Sequence, residues 1–293
     1  MLEIAMLKAI STHIFLKHRL HAGHLDTLSK AGAEAIEIFA ARHHFDYTNR
    51  TQVREIADWF RANPTPAWAL HAPLRTQEEG ENERASGAAI NVVHMDKSHR
   101  IDSMDEIKRA LETAEQIPFT HLILHLGERG DTWSPRSLEH ALTAVEHLRA
   151  FARPLGVQIL LENLEKNEVA QPESLMEILS VGHFDDIGVC LDVGHAHLTE
   201  GILPAIGTMG ERVRSVHIHD NAGDKDAHLW PGDGTISWPE TMQALAALPK
   251  PPAAVLEIHR SLEGSAESLT DHFRRTLEFL DTAASPSQNM ERQ

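Results

Sequence analysis

Ile187-Gly-Val-Cys-Leu-Asp-Val-Gly-His-Ala-His197 is the stretch that decides how the chain reads. It opens as a short run rich in apolar and β-branched residues, the pattern of a buried strand. It ends abruptly in Asp192, Gly194 and His195. A carboxylate and an imidazole where a hydrophobic strand runs out are costly unless something charged sits between them. His121-Leu-Ile-Leu-His125, Val157-Gln-Ile-Leu-Leu-Glu162 and Ala254-Val-Leu-Glu257 end in the same way. Val213-Arg-Ser-Val-His-Ile-His-Asp220 ends in two histidines and an aspartate. Such strand ends, gathered together, predict a metal site at one rim of a barrel.

The rest of the chain supplies the barrel. Lys8–Phe15 reads as a first strand followed by helix at Asp26–Ala31, and Ala35–Phe39 as a second strand with Glu37 alternating against apolar neighbours. Val53, Ile56, Ala57 and Phe60 set a helical spacing over Thr51–Asn63, which Pro64 and Pro66 stop before a third strand at Ala67–His71. Leu74–Arg100 is the least regular segment and reads as a lid or specificity loop, or as a plain insertion. A Ser-Met-Asp-Glu signature predicts a helix over Ser103–Gln116, and further helices are expected at Ser134–Phe151, Glu173–Leu179, Ile202–Ile206, Trp238–Leu248 and Ser268–Ala283. Strand eight is expected at Ala253–Ile258.

Eight strand-helix units in strict alternation indicate an α/β protein with a parallel sheet. In this length they close most naturally into a single (β/α)8 TIM barrel with a long loop after strand three. The expected domain covers residues 1–284, with a disordered tail at 285–293. A doubly wound open sheet is the structural alternative, but no Gly-x-Gly-x-x-Gly follows any strand. In a barrel, the C-terminal strand ends build the active site, and every polar end quoted above falls there.

Composition narrows the function. The 293 residues include 27 basic and 43 acidic side chains, a formal charge of −16, which disfavours binding dominated by phosphate neutralisation. The single cysteine, Cys190, excludes an intrachain disulfide framework and a Cys-rich structural zinc site, and fits a reducing compartment. No run approaches the roughly 20 apolar residues of a membrane helix, and the first residues, with Glu3, make no convincing signal peptide. A cytoplasmic protein is expected.

Residue by residue, His71 and His125 each read as a ligand or as a satisfied strand-end histidine. Glu162 and Glu257 follow apolar runs, where a carboxylate should be paired or metal-bound. His217 and His219 are two apart and so share a strand face, one placed to bind metal and the other to orient substrate. Asp226 and His228 lie on the polar loop Asn221–Gly234, within reach of the rim or simply in solvent. Two glutamates, an aspartate and histidine suit Mn²⁺, Mg²⁺, Co²⁺ or Zn²⁺, and ligand identity does not separate these. Glutamates on two strands also make an acid/base pair able to move a proton on and off carbon beside a metal-stabilised enediolate.

Leu-His-Ala-Pro, Leu-His-Leu-Gly, Leu-Glu-Asn, Leu-Asp-Val-Gly-His, Val-His-Ile-His-Asp-Asn, Asp-Ala-His-Leu-Trp-Pro-Gly-Asp-Gly and Leu-Glu-Ile occur in that order. Together they resemble the xylose-isomerase-like barrel superfamily. It holds sugar and sugar-phosphate isomerases and epimerases together with apurinic endonucleases of the endonuclease IV type. The resemblance implies a ligand quartet at Glu162, Asp192, His217 and Glu257. It also implies proton transfer by Glu162 and Glu257, and substrate contact by His195. The endonuclease-type members add five ligands that map onto His71, His125, His195, Asp226 and His228, all present here. An epimerase-type arginine after strand seven is missing; Lys225 is the cation that loop offers, and with His195 and His219 it is expected to bind substrate.

The expected function is a metal-dependent isomerase or epimerase of a small sugar, sugar phosphate or related polyol, holding one ion or up to three. The alternative is an apurinic endonuclease or phosphodiesterase with a trinuclear zinc site. The Gln77–Glu83 segment, with four glutamates in seven positions, opposes a nucleic-acid partner. A barrel that merely binds carbohydrate would have no need of the glutamate pair. Members of this group often pair with copies of themselves, so a homo-oligomer is among the expected partners, whereas a membrane is not.

Overall fold

Eight short parallel strands pair in sequence order and close on themselves in the computed structural model, which describes residues 6–76, 87–259 and 268–284. They are β1 (Lys8–Ser11), β2 (Ala35–Phe39), β3 (Ala67–His71), β4 (His121–Leu124), β5 (Gln158–Glu162), β6 (Gly188–Asp192), β7 (Val213–Ile218) and β8 (Ala253–Leu256). Closure is made by β1 on β8, with Ala9 opposite Val255 and Ile10 opposite Leu256. Around them run α1 (Ala22–Lys30), α2 (Arg50–Ala62), α3 (Lys97–Leu111), α4 (Pro135–Ala152), α5 (Pro172–Val181), α6 (Val193–His197), α7 (Ile202–Met209), α8 (Trp238–Ala246) and α9 (Leu269–Ala284). The expected α/β class and barrel closure are both present.

Side chains on a strand alternate between faces, so one phase of each strand points to the barrel axis and the other to the helices. The outward phase, including Ile10, Ile36, Ile38, Leu70, Leu122, Leu161, Leu191 and Val216, joins the large helix-facing core. The inward phase forms separate small clusters of Ala9, Ala35 and Val255, and of Ala69, Ile123, Leu160 and Cys190. Two residues further along, the same phase carries Glu37, His71, His125, Glu162, Asp192 and Glu257, while β7 carries Ser215, His217 and His219. The barrel thus has an apolar floor of mostly small side chains and a polar mouth, and the mouth follows from the floor by strand geometry alone.

Several boundaries differ from the sequence expectation. The first strand stops at Ser11, and Thr12–Phe15 is a 3-10 turn. There Thr12 Oγ1 takes over a ladder position by accepting from the Phe39 amide at 3.0 Å. The third helix begins at Lys97 rather than Ser103, capped by Asp96, whose carboxylate accepts from the Ser98 amide at 2.7 Å. Ser103 is buried in mid-helix, where its hydroxyl accepts from the Asn91 amide at 3.0 Å instead of capping. The segment after β3 is therefore shorter than Leu74–Arg100. It is pinned by an antiparallel bridge between Arg75 and Ala89. Its glutamate-rich centre, and the tail expected to be disordered at 285–293, lie outside the described residues. No helix among the described residues is long and apolar enough to cross a membrane.

Candidate metal centre

At the mouth, Glu162, Asp192, His217 and Glu257 each offer one ligand atom, and these atoms all lie within 4.8 Å of one another. His217 is the hub. Its Nδ1 is 3.1 Å from Glu162 Oε1, 3.2 Å from Glu257 Oε2 and 3.8 Å from Asp192 Oδ2. All four side chains are buried, and among the described residues no lysine or arginine forms an ion pair with any of the three carboxylates. Three carboxylates drawn together out of water without a fixed cation are unstable. The donor set, three oxygens and one imidazole nitrogen, fits a divalent ion of intermediate hardness.

Two further groups adjoin this quartet. His71, His125 and Glu162 form one, with His125 Nε2 at 2.9 Å and His71 Nε2 at 3.4 Å from Glu162 Oε2. His219, Asp226 and His228 form the other. In it, His228 Nε2 is 3.0 Å from Asp226 Oδ2. His219 Nδ1 and Asp226 Oδ1, 3.8 Å apart, are both buried without a hydrogen-bond partner. His195 joins the groups, with Nε2 3.4 Å from Asp226 and Nδ1 3.5 Å from Asp192. Lys225 stands apart, exposed on the loop after β7 and in none of these clusters.

Backbone carbonyls orient three of the six imidazoles. Nδ1–H of His71 donates to Ala72 O, that of His195 to Asn163 O and that of His228 to Glu257 O, each at 2.9 Å. In each case Nε2 is turned toward the carboxylates of the mouth, the orientation that metal-binding histidines require. Electrostatics reflect the crowding. Burial opposes a proton on His217, but the Cys190 thiol and the carboxylates of Glu257, Glu162 and Glu37 outweigh it, and its pKa lies well above the usual imidazole value. Burial would raise Glu162, yet His217 and His125 hold it well below the carboxylate range. Burial opposes the proton on His228 also, but Asp226 and Glu257 carry its pKa up to about 9. The carboxylates that favour a proton on these imidazoles would equally favour a divalent ion in its place.

Sequence reasoning did not foresee the part of three supporting residues. Among them is Asp220, which closes one of the polar strand ends but ties down a loop and is in none of the ligand groups. Glu37, fully buried on β2, lies with Oε2 3.3 Å from His217 Nε2. Its signal was the inward phase, two residues past Ala35. Asn163 links β5 to β6 through both of its amide atoms. Asp220 accepts from the amides of Asn221, Gly232 and Ile236 and from Trp238 Nε1, which folds the loop carrying Asp226 and His228. Above the centre is a cavity of about 290 Å³, walled by Leu74, Ile90, Leu164, His125, His195 and Arg129 among others.

These features define a (β/α)8 barrel with a carboxylate–imidazole centre at its C-terminal mouth. The chain belongs to the xylose isomerase-like TIM barrel family, whose model matches residues 25–282. It is 31% identical over 155 residues to the uncharacterized protein y4fM of Sinorhizobium fredii, covering 50% of each chain. It is 24% identical over 172 residues to the fructoselysine 3-epimerase of Escherichia coli O157:H7, covering 56% of this chain and 62% of that one. These alignments span less than two thirds of the relatives' lengths. A solved structure of the IOLI protein with a bound zinc atom superposes with a TM-score of 0.77 at 18% identity, covering 97% of this chain and all of that one.

Proposed function

We propose that the chain is a divalent-metal-dependent isomerase or epimerase of a small carbohydrate, with Glu162 and Glu257 as its proton-transfer pair. The observation that carries this reading is the placement of the two glutamates. They come from the end of β5 and from the residue just past β8, and approach the same imidazole nitrogen of His217 at 3.1 and 3.2 Å. A divalent ion held by Glu162, Asp192, His217 and Glu257 would supply Lewis acidity to the substrate's carbonyl and hydroxyl oxygens. One glutamate takes the proton from the carbon beside the carbonyl, and the other returns a proton to carbon or to oxygen. His195 is held by Asn163 with Nε2 toward Asp226 and the mouth, positioned to donate to a substrate hydroxyl. His219 lies beneath it against Asp192, and Lys225 is available at the rim for an anionic substituent. Leu74, Ile90 and Leu164 give the cavity an apolar side against which the carbon skeleton of a sugar can pack. The cavity volume and the likeness to a fructoselysine 3-epimerase both support a sugar-sized substrate.

The test is solvent-deuterium uptake into a panel of ketoses, ketose phosphates and polyol-derived ketones by the metal-loaded protein. Glu162→Gln and Glu257→Gln should each lose uptake. Exchange that persists in both variants removes the mechanism.

A second reading has one specific observation in its favour, the two additional ligand groups at His71/His125/Glu162 and His219/Asp226/His228. With His195 they supply the donors of a trinuclear zinc centre for phosphodiester hydrolysis. On this reading elemental analysis gives three zinc ions per chain, and the protein nicks abasic duplex in a manner lost in His228→Ala. Absence of cleavage after zinc loading disposes of it.

A further inference from the structure

His217 is held differently from three of the imidazoles that share the mouth with it. His71, His195 and His228 each place Nδ1–H on a backbone carbonyl and turn Nε2 toward the carboxylates of the mouth. His217 faces the carboxylates of Glu162 and Glu257 with Nδ1, and its Nε2 is turned to β2. A histidine still inside the strand ladder, as His217 is in β7, has no such carbonyl to hand, because the strand carbonyls are committed to the β6 and β8 ladders. What it meets is Glu37, reaching across from β2 with Oε2 3.3 Å from Nε2.

Glu37 has no evident structural use of its own. It is fully buried, its Oε1 has no hydrogen-bond partner, and among the described residues its ion pair is with His217. Its register neighbours are Ser11 on β1 and Ala69 on β3, neither of them a cation. An apolar side chain would fill that position at lower cost, so the carboxylate must be offset by what it does to His217. Cys190 also adjoins His217, but burial pushes its thiol up to about 12, and a protonated thiol is a weak acceptor beside a carboxylate.

We infer that Glu37 is a positioning residue: by accepting Nε2–H it fixes His217 in the form whose Nδ1 is the metal-facing donor. The carboxylate also strengthens that donor, since charge on the far side of an imidazole increases its basicity. The inference rests on the four-ligand centre proposed above, though not on the reaction assigned to it.

The experiment measures Zn²⁺ and Mn²⁺ dissociation constants by chelator competition for wild type, Glu37→Gln, Glu37→Met and Glu162→Gln. The ¹⁵N spectrum of His217 is recorded alongside in the zinc-loaded proteins. Glu37→Met, which removes the acceptor, should weaken both metals about 10- to 100-fold. Glu37→Gln keeps an acceptor oxygen and should lose several-fold, with His217 still protonated on Nε2. Glu37→Gln, an isosteric change, decides the matter if Glu37→Met does not fold. Affinities within two-fold of wild type in the folded Glu37 variants, or zinc-loaded wild type protonated on Nδ1, overturn the assignment. If Glu162→Gln binds as wild type does, the four-ligand centre itself fails; if only that variant loses metal, the fault lies with Glu37 alone.

Discussion

Asn163 and Asp192 hold each other across β5 and β6: Asn163 Nδ2 donates to the Asp192 carbonyl at 3.0 Å, and the Asp192 amide donates to Asn163 Oδ1 at 2.8 Å. The Asn163 carbonyl meanwhile fixes His195 at 2.9 Å. One side chain thus sets the end of a strand that supplies a ligand, while its own backbone aims a neighbouring imidazole. Asn163→Ala leaves a buried amide and a buried carbonyl unpaired, each costing about 1–3 kcal/mol. The expected outcome is a loss of at least about 2 kcal/mol in urea unfolding, with weaker metal binding. Wild-type stability in that variant would mean the clasp is idle.

Gly194 permits His219 to sit where it does. A Cβ at Gly194 would lie 2.0 Å from His219 Cε1 and 2.5 Å from its Nδ1. Alanine would favour the short helix α6 by about 1 kcal/mol. That gain is smaller than the cost of moving a buried ring whose Nε2 is bound to Asp192 at 3.0 Å. Gly194→Ala should therefore lower the melting temperature, and a variant as stable as wild type would show that His219 has room to move.

The barrel and most of its mouth are legible in the sequence because the inward phase turns polar mainly where the strands end. Glu162, Asp192, His217 and Glu257 stand out within single strands, since a carboxylate or imidazole closing an apolar run is costly there unless it is paired or holds a metal. Glu37 does not stand out, because in Ala-Ile-Glu-Ile-Phe the alternation looks the same whether the glutamate faces solvent or the barrel axis. Only closure of the sheet makes that face interior. The strand pattern suggests that His219 orients substrate, whereas its geometry with Asp226 and His228 also suits a ligand, a distinction set by loop closure. The start of α3 is not fixed by the sequence because Ser103 and Asp96 both satisfy a capping pattern and only packing selects between them.

Acid sensitivity should come in part from His44, away from the mouth. Its Nδ1–H donates to the His18 carbonyl at 2.6 Å, while Nε2 accepts from Thr12 Oγ1 at 3.0 Å, so the neutral ring is fully satisfied. Burial is the main cause that lowers its pKa to about 4. The unfolded chain, with a value near 6.5, binds the proton first as pH falls. This contribution is fully present above about pH 6.5 and is withdrawn between there and about pH 4, by up to roughly 3 kcal/mol. Urea midpoints from about pH 8 to about pH 4.5 should fall more steeply for wild type than for His44→Asn. Parallel profiles would count against it.

Asp220 makes the last case, because it carries no candidate ligand chemistry yet governs residues that do. Its two oxygens accept from Asn221 N, Gly232 N and Trp238 Nε1 at 2.9 Å and from Ile236 N at 3.2 Å, all in a fully buried position. Its backbone pairs with Leu229 in an antiparallel bridge next to His228. Hydrogen bonds to a charged acceptor contribute about 1.5–3 kcal/mol each. Asparagine in its place turns one of the two acceptor oxygens into a donor facing other donors. Asp220→Asn should cost about 2 kcal/mol or more, and amide exchange should rise across residues 221–236 while β1–β5 stay protected. If exchange rises evenly over the barrel, Asp220 supports the fold as a whole; if it does not rise at all, the loop holding Asp226 and His228 is fixed by other means.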